Sequence, residues 1–535
     1  MKRKDIINTL CGVACIAGGL TACTNDLNVT PINPQQTMEY NQDAVFNKIY
    51  ASFCLTGQTG PAGNGDVPGD EGQSEFFRMM WYLNEFTTDE AHWVWATDAG
   101  VPDLLHNNYG ESNAFSSGMY YRLYFTITLC NFFLEQATGT DAATLMQRAE
   151  VRFIRALNYM YVMDLYGNAA FTTRVSAELP IRYTRKEYFD FIETELKEIE
   201  NDMAMPGGNS YGRVDRVAAW LILSRLYLNA EVYTGIARWE DSMGYAEKVI
   251  KNGYYRLNET GATNPVTGEV YSPYQMLFLA DNNETDARYE AILPVINDGV
   301  NTNSYGGMNF LVLSTYSSVM NNYVPSGTDT SWGKGTRVRS SLVSRFFEED
   351  APQTTSIQVM TDAANDDRAL FYSEGYSQRI ENEGDINAGF SCVKFRNVRS
   401  DGQPNRVITF VNTDLFLLRM AEAYLTYAEA STRLNGPNED AASKINAVRT
   451  RANSRTNSVY SLNEIRDEWS REFWFEGRRR MDLIRFGCYG GQSNYRWEWM
   501  GGTLEGTPFD AYMNIFALPA NELENNPNLK QNEGY

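Results

Sequence analysis

The stretch DEAHWVWATD, Asp89 to Asp98, sets two tryptophans one residue apart between carboxylates. Trp93 and Trp95, at i and i+2, share a face where the backbone is extended. They would then form a broad apolar platform with acceptors at Asp89, Glu90 and Asp98. Sugars present apolar C–H faces and hydroxyl rims, which such a wall with a polar edge suits. The indoles supply rigid contact area, and the carboxylates and indole N–H groups fix orientation. In a chain with 10 Trp and 33 Tyr, such a pair is more often half of a core.

Other chemistries find less support. The chain has only two histidines, His92 and His106, and neither accompanies a Ser or Cys nucleophile motif, so acyl transfer is disfavoured. Glycoside hydrolysis needs two carboxylates across a scissile bond. Asp70, Asp89, Glu90 and Asp98 are available, but nothing in their spacing favours that use. The Gly, Pro and Asp-rich loop from Gly57 to Gly72 carries no phosphate-binding pattern. A formal charge of -21 opposes nucleic acid or an anionic membrane surface as the main partner.

The N-terminus reads as a processing signal over residues 1–22. Lys2, Arg3 and Lys4 precede a short apolar stretch, and Leu20-Thr21-Ala22-Cys23 follows as a bacterial lipobox. The mature chain, residues 23–535, is then tethered through lipid on Cys23, since no later run reaches membrane-span length. Four further cysteines, Cys54, Cys130, Cys392 and Cys488, form no metal or redox motif and read as free thiols.

The platform needs a scaffold, and apolar periodicity supplies one from Thr144 onward. Gln147–Gly167, Arg216–Gly235 with Asp241–Gly253, and Leu415–Gly436 with Ala441–Ala452 carry small residues at fixed offsets and glycine stops. They predict a mostly α fold of tetratricopeptide-like helix hairpins. Two long irregular insertions interrupt it, the region before Thr144 and the segment from Leu257 to about Asn405. Function is expected on those loops. SREFWFEGRRRMDLIRFG, Ser470 to Gly487, predicts one ion-paired helix with Glu476–Arg480 and Asp482–Arg485 contacts.

The lipobox, RAEVRFIRALNYMYVMDLYG, REFWFEGRRRMDLIRFG and the ending ALPANELENNPNLKQNEGY together resemble the SusD/RagB outer-membrane lipoproteins. The resemblance runs from Cys23 to Tyr535. It implies a glycan-binding N-terminal part over about 24–220 and a C-terminal part over about 221–535. TDEAHWVWATDAGVP, SYGGMNFLV and GDEGQSEFFR are similar to the family's starch-binding member in particular. The resemblance implies four tetratricopeptide hairpins, an outer-membrane lipid anchor facing the cell exterior, and a SusC-like TonB-dependent transporter as partner. It further implies capture of starch or malto-oligosaccharides without catalysis. The alternatives are a peptide- or other-glycan-binding lipoprotein of the RagB branch, or a glycoside hydrolase.

Carried over by position, Trp93, Trp95 and Tyr305 form an aromatic arc, with Trp332 a lesser aromatic contact and Asp70 and Arg78 hydrogen-bonding sugar hydroxyls. Asp98 stands where the starch-binding member has asparagine, so an acceptor is kept and an amide donor lost. No cofactor is implied beyond a structural calcium ion near Asn282, Asn412 and Asp414, where amides reduce the charge that calcium prefers.

Overall fold

The computed structural model describes residues 40–535 apart from 59, 62–64, 70, 71 and 96. Residues 1–43 and 44–535 form separate units, and the helical scaffold lies wholly within the second. The signal, Cys23 and Asp70 lie outside the described residues.

Helix α1, Phe76–Trp81, continues into a π-helical turn at Tyr82–Phe86, and strand β1, Ala91–Trp93, follows. Helices α2 (Ala114–Gln136) and α3 (Ala142–Tyr166) make the first long hairpin, and α4 (Arg185–Ile199) packs on α3. Helices α5 (Arg216–Leu228) and α6 (Trp239–Ile250) pair next. The second insertion contributes strand β2 (Ala291–Val295), helix α7 (Gly307–Thr315) and strand β3 (Thr336–Val338). Strand β4 (Leu415–Arg419) leads into α8 (Met420–Asn435), which pairs with α9 (Glu439–Arg451) and also rests on α6. Helices α10 (Leu462–Phe473) and α11 (Arg479–Arg485) follow, and a short helix, Ala520–Asn525, lies near the C-terminus.

The predicted scaffold is there: the fold is mostly helical and built of hairpins. Local chemistry starts and stops them. Asp141, Asp215 and Asn438 accept from first-turn amides, and Thr184 with Glu187 and Ser461 with Glu464 form capping boxes. Gly167 and Gly436, both at positive φ, end α3 and α8.

Three expectations need correction. The region before Thr144 is not only loop, since the 23-residue helix α2 occupies it, capped by Asn113. Leu415–Arg419 is a strand and not the start of a helix, because it pairs antiparallel with β2, Leu415 opposite Val295. Ser470–Gly487 is two helices. Phe475 and Gly477 take positive φ, which turns Glu476 away from Arg480 and onto Arg419 and Lys394. Asp482 and Arg485 do pair, at 2.8 Å. The four cysteines are free, as expected.

Buried ion pairs knit the C-terminal helices. Arg419 bridges Glu290, Glu472 and Glu476, and Arg451 bridges Glu290 and Glu472. Burial alone would raise Glu472, but Arg451, Arg419 and Arg368 bring its carboxyl down to about 2. A carboxylate depressed in the folded state stabilises fully above its unfolded value of about 4.3 and loses that contribution as pH falls through the folded one. Urea unfolding is therefore expected to require steadily less denaturant between about pH 4 and pH 2. A flat profile across that window would contradict the network.

Candidate glycan-binding site

Strand β1 pairs antiparallel with β3, His92 opposite Arg337 and Trp93 opposite Thr336. This short ladder joins the two insertions, and the Val94 amide extends it by donating to the Gly335 carbonyl at 3.0 Å. The strand ends at Trp93, so the two indoles do not lie side by side. Trp93 and Trp95 meet edge to face, centroids 4.9 Å apart and planes at 82°. Trp93 is 4 % exposed and Trp95 37 %. Both readings of the pair hold, one for each residue: Trp93 is core, packed on Phe86 and Phe310, and Trp95 is surface.

The Trp93 Nε1–H donates to Asp98 Oδ2 at 2.7 Å. Asp98 itself is exposed, in a turn closed by its amide on the Trp95 carbonyl. Its Oδ2 thus orients the buried indole.

Tyr305 is half-buried, with its ring on Phe410 at 5.2 Å. Its carbonyl accepts from Arg78 Nη1 at 3.1 Å. Gly72, at φ +74, lies so close that a Cβ would stand 2.4 Å from the Tyr305 carbonyl carbon, so only glycine fits there. The Arg78 guanidinium is buried, donates to the Tyr82 hydroxyl through Nε and Nη2, and lies over Phe310 and Trp332 at 4.9 and 5.3 Å. Three of its five donors are already committed within the protein. It ties Tyr305 to Phe310 and Trp332.

Phe310, fully buried on α7, is the common backing: Trp93, Trp332 and Arg78 all pack against it. Nothing in its own sequence position marks it out. Trp332 is half-buried, and its amide donates to the Leu313 carbonyl at 2.7 Å. The structure thus gathers Arg78, Trp93, Trp95, Asp98, Tyr305 and Trp332 around β1 and α7.

Asp89 and Glu90 do not belong to the polar edge. Both are buried, Asp89 between Arg345 and Arg479, and Glu90 on the Ser470 hydroxyl and the Phe475 amide. Their partners come from distant segments, which spacing cannot show. His92 and His106 converge on Glu383 Oε1, each at 2.8 Å, on the side of β1 away from Trp93.

At the proposed calcium position, Asn282 is spent on the backbone of Asp414, donating to its carbonyl and accepting from its amide. The Asp414 carboxylate accepts from the Asn297 amide and the Tyr211 hydroxyl, and burial raises it to about 7. Asn412 Oδ1 and Asn283 Oδ1 are buried without a partner. Among the described residues no cluster of three His, Cys, Asp or Glu side chains could hold a metal, so any cation would lean on these amides. An oxygen-only set with two orphaned acceptors beside a buried carboxylate fits a hard cation. The orphaned oxygens are those of Asn283 and Asn412, not Asn282.

Over 558 aligned residues the chain is 40 % identical to the starch-binding protein SusD of Bacteroides thetaiotaomicron, covering 98 % of this chain and 97 % of the relative. The chain belongs to the SusD family. Residues 272–535 match the model of that family. A SusD-like protein P25 of Formosa agariphila is 25 % identical over 398 residues, 68 % of this chain and 69 % of the relative. Among solved structures, a SusD-like protein of Bacteroides fragilis superposes with TM-score 0.68 at 18 % identity, covering 95 % of this chain and 100 % of its own. Surface glycan-binding protein A of Bacteroides uniformis gives TM-score 0.65 at 19 % identity, with 92 % and 98 % coverage. These structures share the family's helical fold. No helix among the described residues is long and apolar enough to cross a membrane.

Proposed function

We propose that this SusD-family protein is a cell-surface lipoprotein that captures starch or α-1,4-linked malto-oligosaccharides and passes them, without catalysis, to a SusC-like TonB-dependent transporter. The observation that carries the reading is the exposed Trp95 ring standing over buried Trp93, with Tyr305 and Trp332 tied into the same assembly by Arg78. An exposed indole with Asp98 at its edge offers a stacking face and an acceptor to one sugar ring. The 40 % identity to a starch-binding relative supports the glucan choice. Asp89 and Glu90, locked in buried contacts, leave no evident acid and base pair at the site.

Calorimetry of the chain beginning after Cys23 against amylose, pullulan, dextran, inulin and peptides tests the ligand class. Binding confined to the α-glucans with no new reducing ends is the expected result, and turnover or a preference for peptides would overturn it. In cells, Cys23→Ala is expected to leave a folded protein that no longer sediments with outer membranes. Co-sedimentation of that variant would remove the lipid anchor.

We further propose a calcium ion at Asp414, with Asn283 and Asn412 supplying further oxygens. Adding calcium to chelator-treated protein is expected to raise the melting temperature by a few degrees, and Asp414→Asn to erase the effect. Identical melting with chelator and with millimolar calcium would withdraw the ion.

A further inference from the structure

The tryptophan pair rests on a short segment, Trp332-Gly333-Lys334-Gly335, whose chemistry the arc alone does not explain. At Gly335, an added Cβ would stand 2.3 Å from Trp95 Cζ3 and 2.9 Å from Trp93 Cη2 and Cζ3. Real side chains do not approach so closely, so any residue but glycine must push an indole away. Trp93 is enclosed by Phe86 and Phe310, whereas Trp95 has solvent in front of it. Trp95 is therefore the ring that would move.

Lys334 fixes the glycine. Its backbone takes φ +62, a strained conformation for an L-residue that persists only where surroundings impose it. Those surroundings are specific. Its amide donates to the Tyr316 carbonyl at 2.8 Å. Its Nζ donates to the Ile386 carbonyl at 2.9 Å and sits 3.0 Å from the Tyr376 ring centroid. Lys334 is 1 % exposed, an uncommon state for a lysine that faces no carboxylate directly. Burial, helped by Arg337, lowers its ammonium to about 6.

We propose that Gly335 is a specificity-determining residue of the aromatic site and Lys334 its positioning residue. The absent side chain at 335 sets the height and right-angle pose of Trp95, and the buried stem at 334 holds that seat. The inference rests on the glycan reading for its ligand and not for its geometry. Because Trp93 is buried, the angle at which Trp95 is held sets the slope of the exposed stacking face, and a sloped face suits a curved glucan better than a flat, extended one.

The test compares Gly335→Ala, Lys334→Met and Trp95→Ala by calorimetry against a seven-glucose cyclodextrin and linear maltoheptaose. The circular-dichroism exciton band of the coupled indoles is recorded in parallel. Gly335→Ala is expected to lose the exciton band, weaken cyclodextrin binding by roughly tenfold or more and weaken the linear ligand less. Lys334→Met is expected to shift both readouts in the same direction by a smaller amount. An unchanged exciton band in Gly335→Ala overturns the proposal whatever the ligand does. Trp95→Ala losing affinity while Gly335→Ala keeps both affinity and cyclic preference also overturns it, leaving the glycan reading in place. Trp95→Ala keeping full affinity moves the ligand elsewhere and overturns both. If Gly335→Ala fails to fold, the double variant with Trp95→Phe decides. Phenylalanine lacks the atom met at 2.3 Å, so recovered folding locates the clash at Trp95, and continued failure refutes it.

Discussion

Trp95→Ala is expected to weaken oligosaccharide binding by about thirtyfold or more while the unfolding curve stays near wild type. Trp93→Ala, two residues away, is expected to do the reverse first and lose binding only as a consequence. The difference follows from burial, 37 % exposure against 4 %. An exposed aromatic anchor carries binding energy, and its truncation costs about 2 kcal/mol or more in affinity, close to thirtyfold. A core indole wedged on Phe86 and Phe310 leaves a cavity when removed, at about 3–5 kcal/mol of stability. Trp93→Ala also strips Asp98 Oδ2 of its donor, so the turn carrying Asp98 and Trp95 loosens as well. Paired calorimetry and urea titration read both quantities on the same preparations. Equal destabilisation by the two variants would mean that Trp95 is core too, and the platform would have no exposed face.

What the sequence revealed, and what it hid, divides along the range of the interactions. Capping residues and glycine stops act within four residues, so the hairpins α5/α6 and α8/α9 were legible from periodicity and punctuation. Trp93 and Trp95 were legible as a pair. Their mutual angle was not, because strand β1 ends between them and its partner strand lies in the other insertion. Leu415–Arg419 misled for the same reason: LFLLR suits a helix until β2 is brought beside it. Asp89 and Glu90 looked like the rim of a sugar site since their neighbours in sequence are tryptophans. Their neighbours in space are Arg345 and Arg479, 256 and 390 residues further along. Gly335 and Phe310 carry no signal of their own. A glycine is read as a turn and a phenylalanine as core, and only the approach of Trp95 to one and of three side chains to the other gives them roles.

That displacement of Asp89 from the site to the core yields the other large effect. Arg479 grips the carboxylate with Nε on Oδ1 at 2.9 Å and Nη2 on Oδ2 at 3.0 Å, while Arg345 and the Tyr495 hydroxyl close on the same Oδ2. Burial would raise this carboxyl, yet Arg345 and Arg479 hold it far below the usual carboxylate range. Asp89→Ala leaves two guanidinium groups facing each other in the interior, and removing one partner of a buried ion cluster costs about 3–5 kcal/mol. A cluster of one carboxylate and two arginines sits at the upper end of that range, enough to unfold a marginal domain at growth temperature. Asp89→Asn keeps the shape and one acceptor, and is expected to lower the denaturation midpoint by less. The decisive measurement is affinity at low temperature, where Asp89→Asn remains folded. If Asp89 only anchors β1 from beneath, the variant binds maltoheptaose within about twofold of wild type, as expected for a residue outside the contact surface. A tenfold loss with an unchanged midpoint would place its carboxylate on the sugar after all, and with it the base or nucleophile that a hydrolase would need.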